Sequence, residues 1–107
     1  MIPVVAERAD ELKQLCLRYS VRRLDLFGSA ATGGYHLEGS DLDFMVEFQP
    51  ESFSAYADAY FGLLEALEQL FGRSVDLVVG SAIKNPYFLQ SVEETRTAIY
   101  EHRWLNT

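Results

Sequence analysis

Between Asp41 and Phe48 the chain alternates without a break: Leu42, Phe44, Val46 and Phe48 fall on one side of an extended backbone, and Asp41, Asp43, Met45 and Glu47 on the other. A side-chain period of two is the mark of a β-strand with one face to be covered. The rest of the chain must therefore cover that apolar face, and both aspartates point away from it together. Ser74 to Val79 predicts a second strand of this kind, with Val75, Leu77 and Val79 on one face and Asp76 and Val78 on the other. An acid in an otherwise apolar strand needs a reason.

A third strand is expected over Arg22 to Phe27, with Leu24 and Leu26 opposite Arg23, Asp25 and Phe27. It ends at the Gly28-Ser29 turn, and Arg22 and Arg23 read as its solvated start. Residues 30 to 40, with Gly33-Gly34 and Gly39-Ser40, form a turn-rich loop in which Ala30, Ala31 and Thr32 are placed in one helical turn.

The remaining apolar residues recur at helical spacing. Val5, Ala9, Leu12, Cys16 and Tyr19 predict a first helix from Pro3 to about Tyr19. Ser52 or Ser54 caps a long helix running to about Phe71, with Tyr56, Tyr60, Leu63, Leu67, Leu70 and Phe71 as its buried stripe and Gly72 as its stop. Asn85 as cap and Pro86 as first residue open a last helix whose inner face is Phe88, Val92, Thr95 and Ile99, with Arg96 and Arg103 in its later half. The order is helix, strand, strand, helix, strand, helix. This predicts an α/β or α+β fold, a small mixed sheet flanked by helices, in a single domain over residues 1–107.

Composition narrows the function. A net charge of −7, with nine basic residues scattered along the chain, disfavours holding long nucleic acid by phosphate neutralisation. No apolar run approaches the roughly 20 residues of a membrane span. Met1-Ile2-Pro3-Val4-Val5 lacks the basic start of a signal peptide, so a cytoplasmic location is expected. The single cysteine, Cys16, reads as a buried, inert thiol, and His36 and His102 as surface residues. Exposed sheet edges and several aromatics suggest work in an oligomer or complex.

Three carboxylates, Asp41, Asp43 and Asp76, sit in short strands that one small sheet would set side by side. Such a cluster is unfavourable alone, because like charges oppose one another's ionisation, and favourable around a magnesium ion or ion pair held through oxygen. Magnesium bridges nucleotide phosphates and activates a hydroxyl for in-line displacement. A glycine-serine turn at Gly28-Ser29 offers backbone N–H groups and a hydroxyl to phosphate oxygens. The bland readings are an ordinary wet strand for Asp-x-Asp and a plain tight turn for Gly-Ser. Glu47 reads as a solvated acid and Tyr56 and Tyr60 as core; Tyr87 is core or nucleotide-stacking, and Tyr35 lies near a bound base or partner.

Leu26-Phe27-Gly28-Ser29, Ser40-Asp41-Leu42-Asp43 and Val75-Asp76-Leu77-Val78, with Lys84-Asn85-Pro86-Tyr87-Phe88 and Ile99-Tyr100, together resemble the minimal nucleotidyltransferase family of the polymerase-beta superfamily. The resemblance implies a polymerase-beta-like core. It makes Asp41, Asp43 and Asp76 the catalytic residues and metal ligands, with Asp76 also the base for the acceptor hydroxyl. Gly28, Ser29 and Ser40 would be the nucleotide-binding residues. It implies Mg2+, with Mn2+ as an alternative, and ATP as the donor of AMP to a hydroxyl of a protein partner. That partner would be a HEPN-type ribonuclease toxin, for which this chain is the antitoxin. The alternatives are a non-catalytic antitoxin acting by binding alone and transfer to a small molecule. One departure stands out: many relatives carry an arginine where this chain has Thr32. Arg73, Lys84 or a partner's side chain are candidates to supply the missing charge.

Overall fold

The computed structural model describes residues 3–28, 42–49, 53–82 and 84–101. The elements are α1 (Pro3–Ala6), α2 (Ala9–Arg18), β1 (Val21–Phe27), β2 (Leu42–Phe48), α3 (Phe53–Phe71), β3 (Val75–Val79), a 3-10 turn (Gly80–Ala82), α4 (Pro86–Thr95) and β4 (Thr97–Glu101). The strands form one mixed sheet in the order β3-β2-β1-β4. β1 is antiparallel to both β2 and β4, and β2 runs parallel to β3 through α3. Parallel neighbours need such a crossover, and the 19 residues of α3 provide it.

The alternation in the strands decides what covers each face. Leu24 and Leu26 of β1, Leu42, Phe44 and Val46 of β2, and Val75 and Leu77 of β3 pack with Leu12 and Cys16 of α2 and Leu63 and Leu67 of α3. Phe44 stacks on Phe71 with ring centroids 6.0 Å apart. Fully burying a side chain of this class contributes about 1.5–3 kcal/mol, so this layer is the main source of stability. On the opposite face a smaller cluster joins Phe27, Met45 and Val92, with Val78 against it. Thus α4 covers part of the sheet face that carries Asp43.

Three expectations need correction. The first helix is not continuous: α1 stops at Ala6 and α2 begins at Ala9. Val5, Leu12 and Cys16 keep the expected stripe, while Ala9 is exposed. The last helix stops at Thr95, and Arg96 turns extended (φ −62°, ψ 139°). Thr97 to Glu101 then forms β4 along β1, where Thr97 lies beside Leu26 and Tyr100 beside Leu24. Thr and Ile favour a pleated surface, and pairing with β1 outweighs the helical spacing that links Val92, Thr95 and Ile99. Arg23 is not a solvated strand start; it is half-buried and paired with an acid, while Arg22 is exposed.

Other signals act as expected. The Asn85 side chain accepts from the N–H of Tyr87 at 2.9 Å and of Phe88 at 3.3 Å, with Pro86 in the first turn. Gly72 leaves α3 with φ +65° and its N–H bonded to Glu68 O at 2.8 Å. Burial pushes the Cys16 thiol up to about 12, so it is neutral and inert at ordinary pH. No helix among the described residues is long and apolar enough to cross a membrane.

Candidate active site

Register partners on paired strands stand side by side with their side chains on one face. On the face opposite the main core this places Asp76, Asp43 and Phe27 in one row across β3, β2 and β1. The next row is Val78, Met45 and Asp25, and beyond it Glu47 stands beside Arg23. Of the three aspartates expected to converge, Asp43 and Asp76 are therefore nearest neighbours, on strands about 4.8 Å apart. Asp43 is half-buried and Asp76 exposed, so desolvation is not the reason for the acid in β3. Exposure therefore removes the burial cost that the strand pattern suggested, and Asp76 stands beside Asp43.

Gly28 closes the row from the end of β1. It has φ +73°, and a Cβ on it would lie 2.7 Å from Asp43 Oδ2. Both facts require glycine: the left-handed conformation disfavours other residues, and the carboxylate fills the space a side chain would take. The Gly28 N–H donates to Thr95 Oγ1 at 3.0 Å. The turn is thereby held between the Asp43 carboxylate and the end of α4. Of the other expected site residues, Ser29, Ser40 and Asp41 lie outside the described residues, as do Thr32, Tyr35, His36 and His102.

The donor set fits a hard divalent cation. Two neighbouring carboxylates offer only oxygen, and their mutual repulsion is relieved by a cation between them. Among the described residues no group of three His, Cys, Asp or Glu side chains converges. Of the compensating cations considered for Thr32, Arg73 precedes β3 at the same end as Asp76, whereas Lys84 lies past the opposite end of that strand. Lys84 instead lines an open groove of about 490 Å³ with Tyr56, Tyr60, Val78 and Phe88. Tyr60 packs against the core as expected and donates its hydroxyl to Leu77 O at 2.6 Å. Tyr56 packs edge-on against Phe48, Tyr87 is 82% exposed, and Glu47 is half-buried against Gly80.

The sheet face also holds a feature the sequence reading missed. Asp25 is 1% exposed and accepts from Arg96 Nη2 at 2.6 Å and from Arg23 Nε at 3.0 Å. Arg96 also pairs with Glu93, and Arg23 approaches Glu101 at 3.8 Å. Burial works against the Arg96 charge, but the hydrogen bond and charge of Asp25, together with Glu93, outweigh it and raise its pKa above the ordinary arginine value. The signal for Asp25 was present, an acid between two leucines in an alternating strand. Its partner Arg96 is 71 residues away and had no local sign.

The chain also has known counterparts. Residues 9–99 match the family described as Nucleotidyltransferase domain. The chain belongs to this family. A Methanocaldococcus jannaschii protein provisionally named protein adenylyltransferase MJ1379 is 42% identical to this nucleotidyltransferase over 77 residues, 72% of this chain and 75% of its own. A solved structure provisionally described as a minimal nucleotidyltransferase superposes with a TM-score of 0.71 at 30% identity, covering 87% of this chain and 90% of that one. The fold alone is shared with the solved complex of tri-AMPylated Shewanella oneidensis HEPN toxin with an MNT antitoxin. There the TM-score is 0.60 at 17% identity, over 91% of this chain and 72% of that one. The expected family and the mixed α/β fold both hold for this minimal nucleotidyltransferase.

Proposed function

We propose that this nucleotidyltransferase moves AMP from ATP to a hydroxyl on a protein partner, as the antitoxin of a HEPN-type toxin. The observation that carries the reading is the alignment of Asp43 with Asp76 beside the glycine turn at Gly28. The adenylyltransferase name of the M. jannaschii relative and the AMPylated toxin bound to the S. oneidensis antitoxin support the choice of AMP and of a protein acceptor.

In this reading Asp41, Asp43 and Asp76 would hold magnesium, or manganese in its place, and the ion would supply positive charge to offset that of the triphosphate and of the reacting phosphoryl group. Ser29 and Ser40 would grip the triphosphate through backbone N–H groups and hydroxyls, and Gly28, whose own N–H is given to Thr95, would shape the turn that presents them. Asp76, the more exposed acid, takes the proton of the acceptor hydroxyl as its oxygen bonds to the α-phosphorus. The bond from that phosphorus to the β-phosphate bridging oxygen breaks, and pyrophosphate leaves. Acids, a glycine and serines suffice because the work is positioning and charge stabilisation.

Incubation with ATP, magnesium and a HEPN-type protein, sought first in the neighbouring reading frame, tests this by intact mass. The partner should gain the mass of AMP, and Asp43→Asn should abolish the gain while leaving the circular dichroism spectrum intact. Undiminished transfer by that variant would sink the assignment. A second reading, inhibition by binding alone, is favoured by Thr32 in place of an arginine. It predicts equal inhibition by wild type and by an Asp41/Asp43 double variant, with no mass added.

A further inference from the structure

Two consecutive side chains leaving α4 hold the end of β1. Thr95, its last residue, accepts the Gly28 N–H at 3.0 Å; Arg96, the next, reaches Asp25 at 2.6 Å. Between those anchors Leu26 is buried in the main core, while Phe27 packs in the opposite cluster with Val92 and meets Phe88 edge-on at 6.0 Å. The four-residue segment is therefore fixed from both sides of the sheet. The Thr95 hydroxyl in turn points its hydrogen toward Val92 O at 3.5 Å, which leaves its oxygen turned to the Gly28 donor.

We infer that Thr95 is a positioning residue for the phosphate-gripping turn, acting through Gly28 rather than on the nucleotide itself. The inference rests on the function proposed above and adds a residue to it. Gly28 can adopt many conformations, and the direction in which the chain leaves it decides where the following amide and the Ser29 hydroxyl can point. Among the described residues two restraints limit that choice. The Asp43 carboxylate occupies the space beside its α-carbon, and Thr95 fixes the peptide plane before it. A groove that binds phosphate through backbone groups gains affinity from being formed beforehand, because the ordering cost is then not charged to binding. α4 thus contributes to nucleotide binding from outside the contact shell.

Thr95→Val keeps the branched shape and removes the acceptor; Thr95→Ser keeps the acceptor and removes a methyl group. Binding of a non-hydrolysable ATP analogue with magnesium is measured by calorimetry, and exchange of the Gly28 amide by nitrogen-15 NMR, both well below each variant's Tm. Thr95→Val should bind about tenfold more weakly, the equivalent of one ordinary hydrogen bond, and exchange Gly28 faster. Thr95→Ser should stay within about twofold of wild type on both readouts. A role confined to stability would lower Tm without moving affinity at a temperature where the variant is folded. If Thr95→Val does not fold, Thr95→Ala removes the same acceptor without placing a methyl group where the hydroxyl stood, and carries the same expectation. Wild-type affinity in a folded Thr95→Val or Thr95→Ala, or a Thr95→Ser as impaired as Thr95→Val, overturns the inference alone. A wild-type protein that does not bind the analogue overturns the proposed function and this inference with it.

Discussion

Replacing Arg96 with methionine is the most informative perturbation of the fold. Asp25 is almost fully enclosed, and its shortest bond, 2.6 Å, is to Arg96. Removing one partner from a buried pair costs about 3–5 kcal/mol, because the remaining charge stays desolvated. Arg23 lowers that figure here: its Nε lies 3.0 Å from the carboxylate, although its side chain is 35% exposed and it is shared with Glu101. We expect Arg96→Met to cost about 2–3 kcal/mol, which in a domain of this size lowers Tm by about 8–20 °C. Urea unfolding followed by circular dichroism measures it, with an unchanged slope as the check that compactness is unaltered. Salt should alter the loss little, since buried pairs are weakly screened. The double variant Asp25→Leu/Arg96→Met should recover most of the loss, because neither charge then remains buried. A single variant within about 0.5 kcal/mol of wild type would refute the buried pair. So would a double variant that loses the sum of the two singles.

The other expectations are narrower. Gly28→Ala should abolish binding of the ATP analogue in calorimetry and lower stability by at least about 1–2 kcal/mol, because the left-handed conformation and the Asp43 contact both oppose a methyl group. An alanine variant that binds normally would remove the turn from the site. For Cys16, the unfolded thiol ionises near its ordinary value of 9.0 and the folded one not until about 12. The raised folded value means that its contribution is fully present below pH 9.0 and is lost as pH rises toward 12. Cys16→Ala should flatten the fall in stability across that window, and a thiol reagent should label wild type only under unfolding conditions.

The sequence exposed most plainly those elements whose pattern is local. Leu42 to Phe48 and Val75 to Val79 were legible because each residue's face follows from its parity, and Asn85-Pro86 because a cap and its proline lie side by side. β4 was not legible. Thr95 and Ile99 continue the spacing of Phe88 and Val92, and only pairing with β1, some 70 residues earlier, breaks the helix at Arg96. The break between α1 and α2 is likewise invisible in a stripe that Val5, Leu12 and Cys16 keep intact. Of the candidate site, the facing of Asp43 and Asp76 follows from parity, whereas their side-by-side placement was expected only if one small sheet held both strands, and the strand order and register that make them neighbours are tertiary facts. Thr95 and Asp25 escaped for a related reason: their roles exist only once α4 lies across the sheet.

The alignment of Asp43 with Asp76 has a consequence for how this chain can vary. Sliding β3 along β2 by one residue would turn Asp76 and Val78 into the core and is resisted by the whole apolar layer. Sliding it by two would leave every face correct and carry Asp76 about 6.6 Å along the sheet from Asp43. The core senses only whether the offset is odd or even, whereas the paired acids sense the offset itself. Insertions or deletions in the segment joining α3 to β3 can therefore yield well-folded descendants that have lost the site, and in them stability would carry no record of the loss.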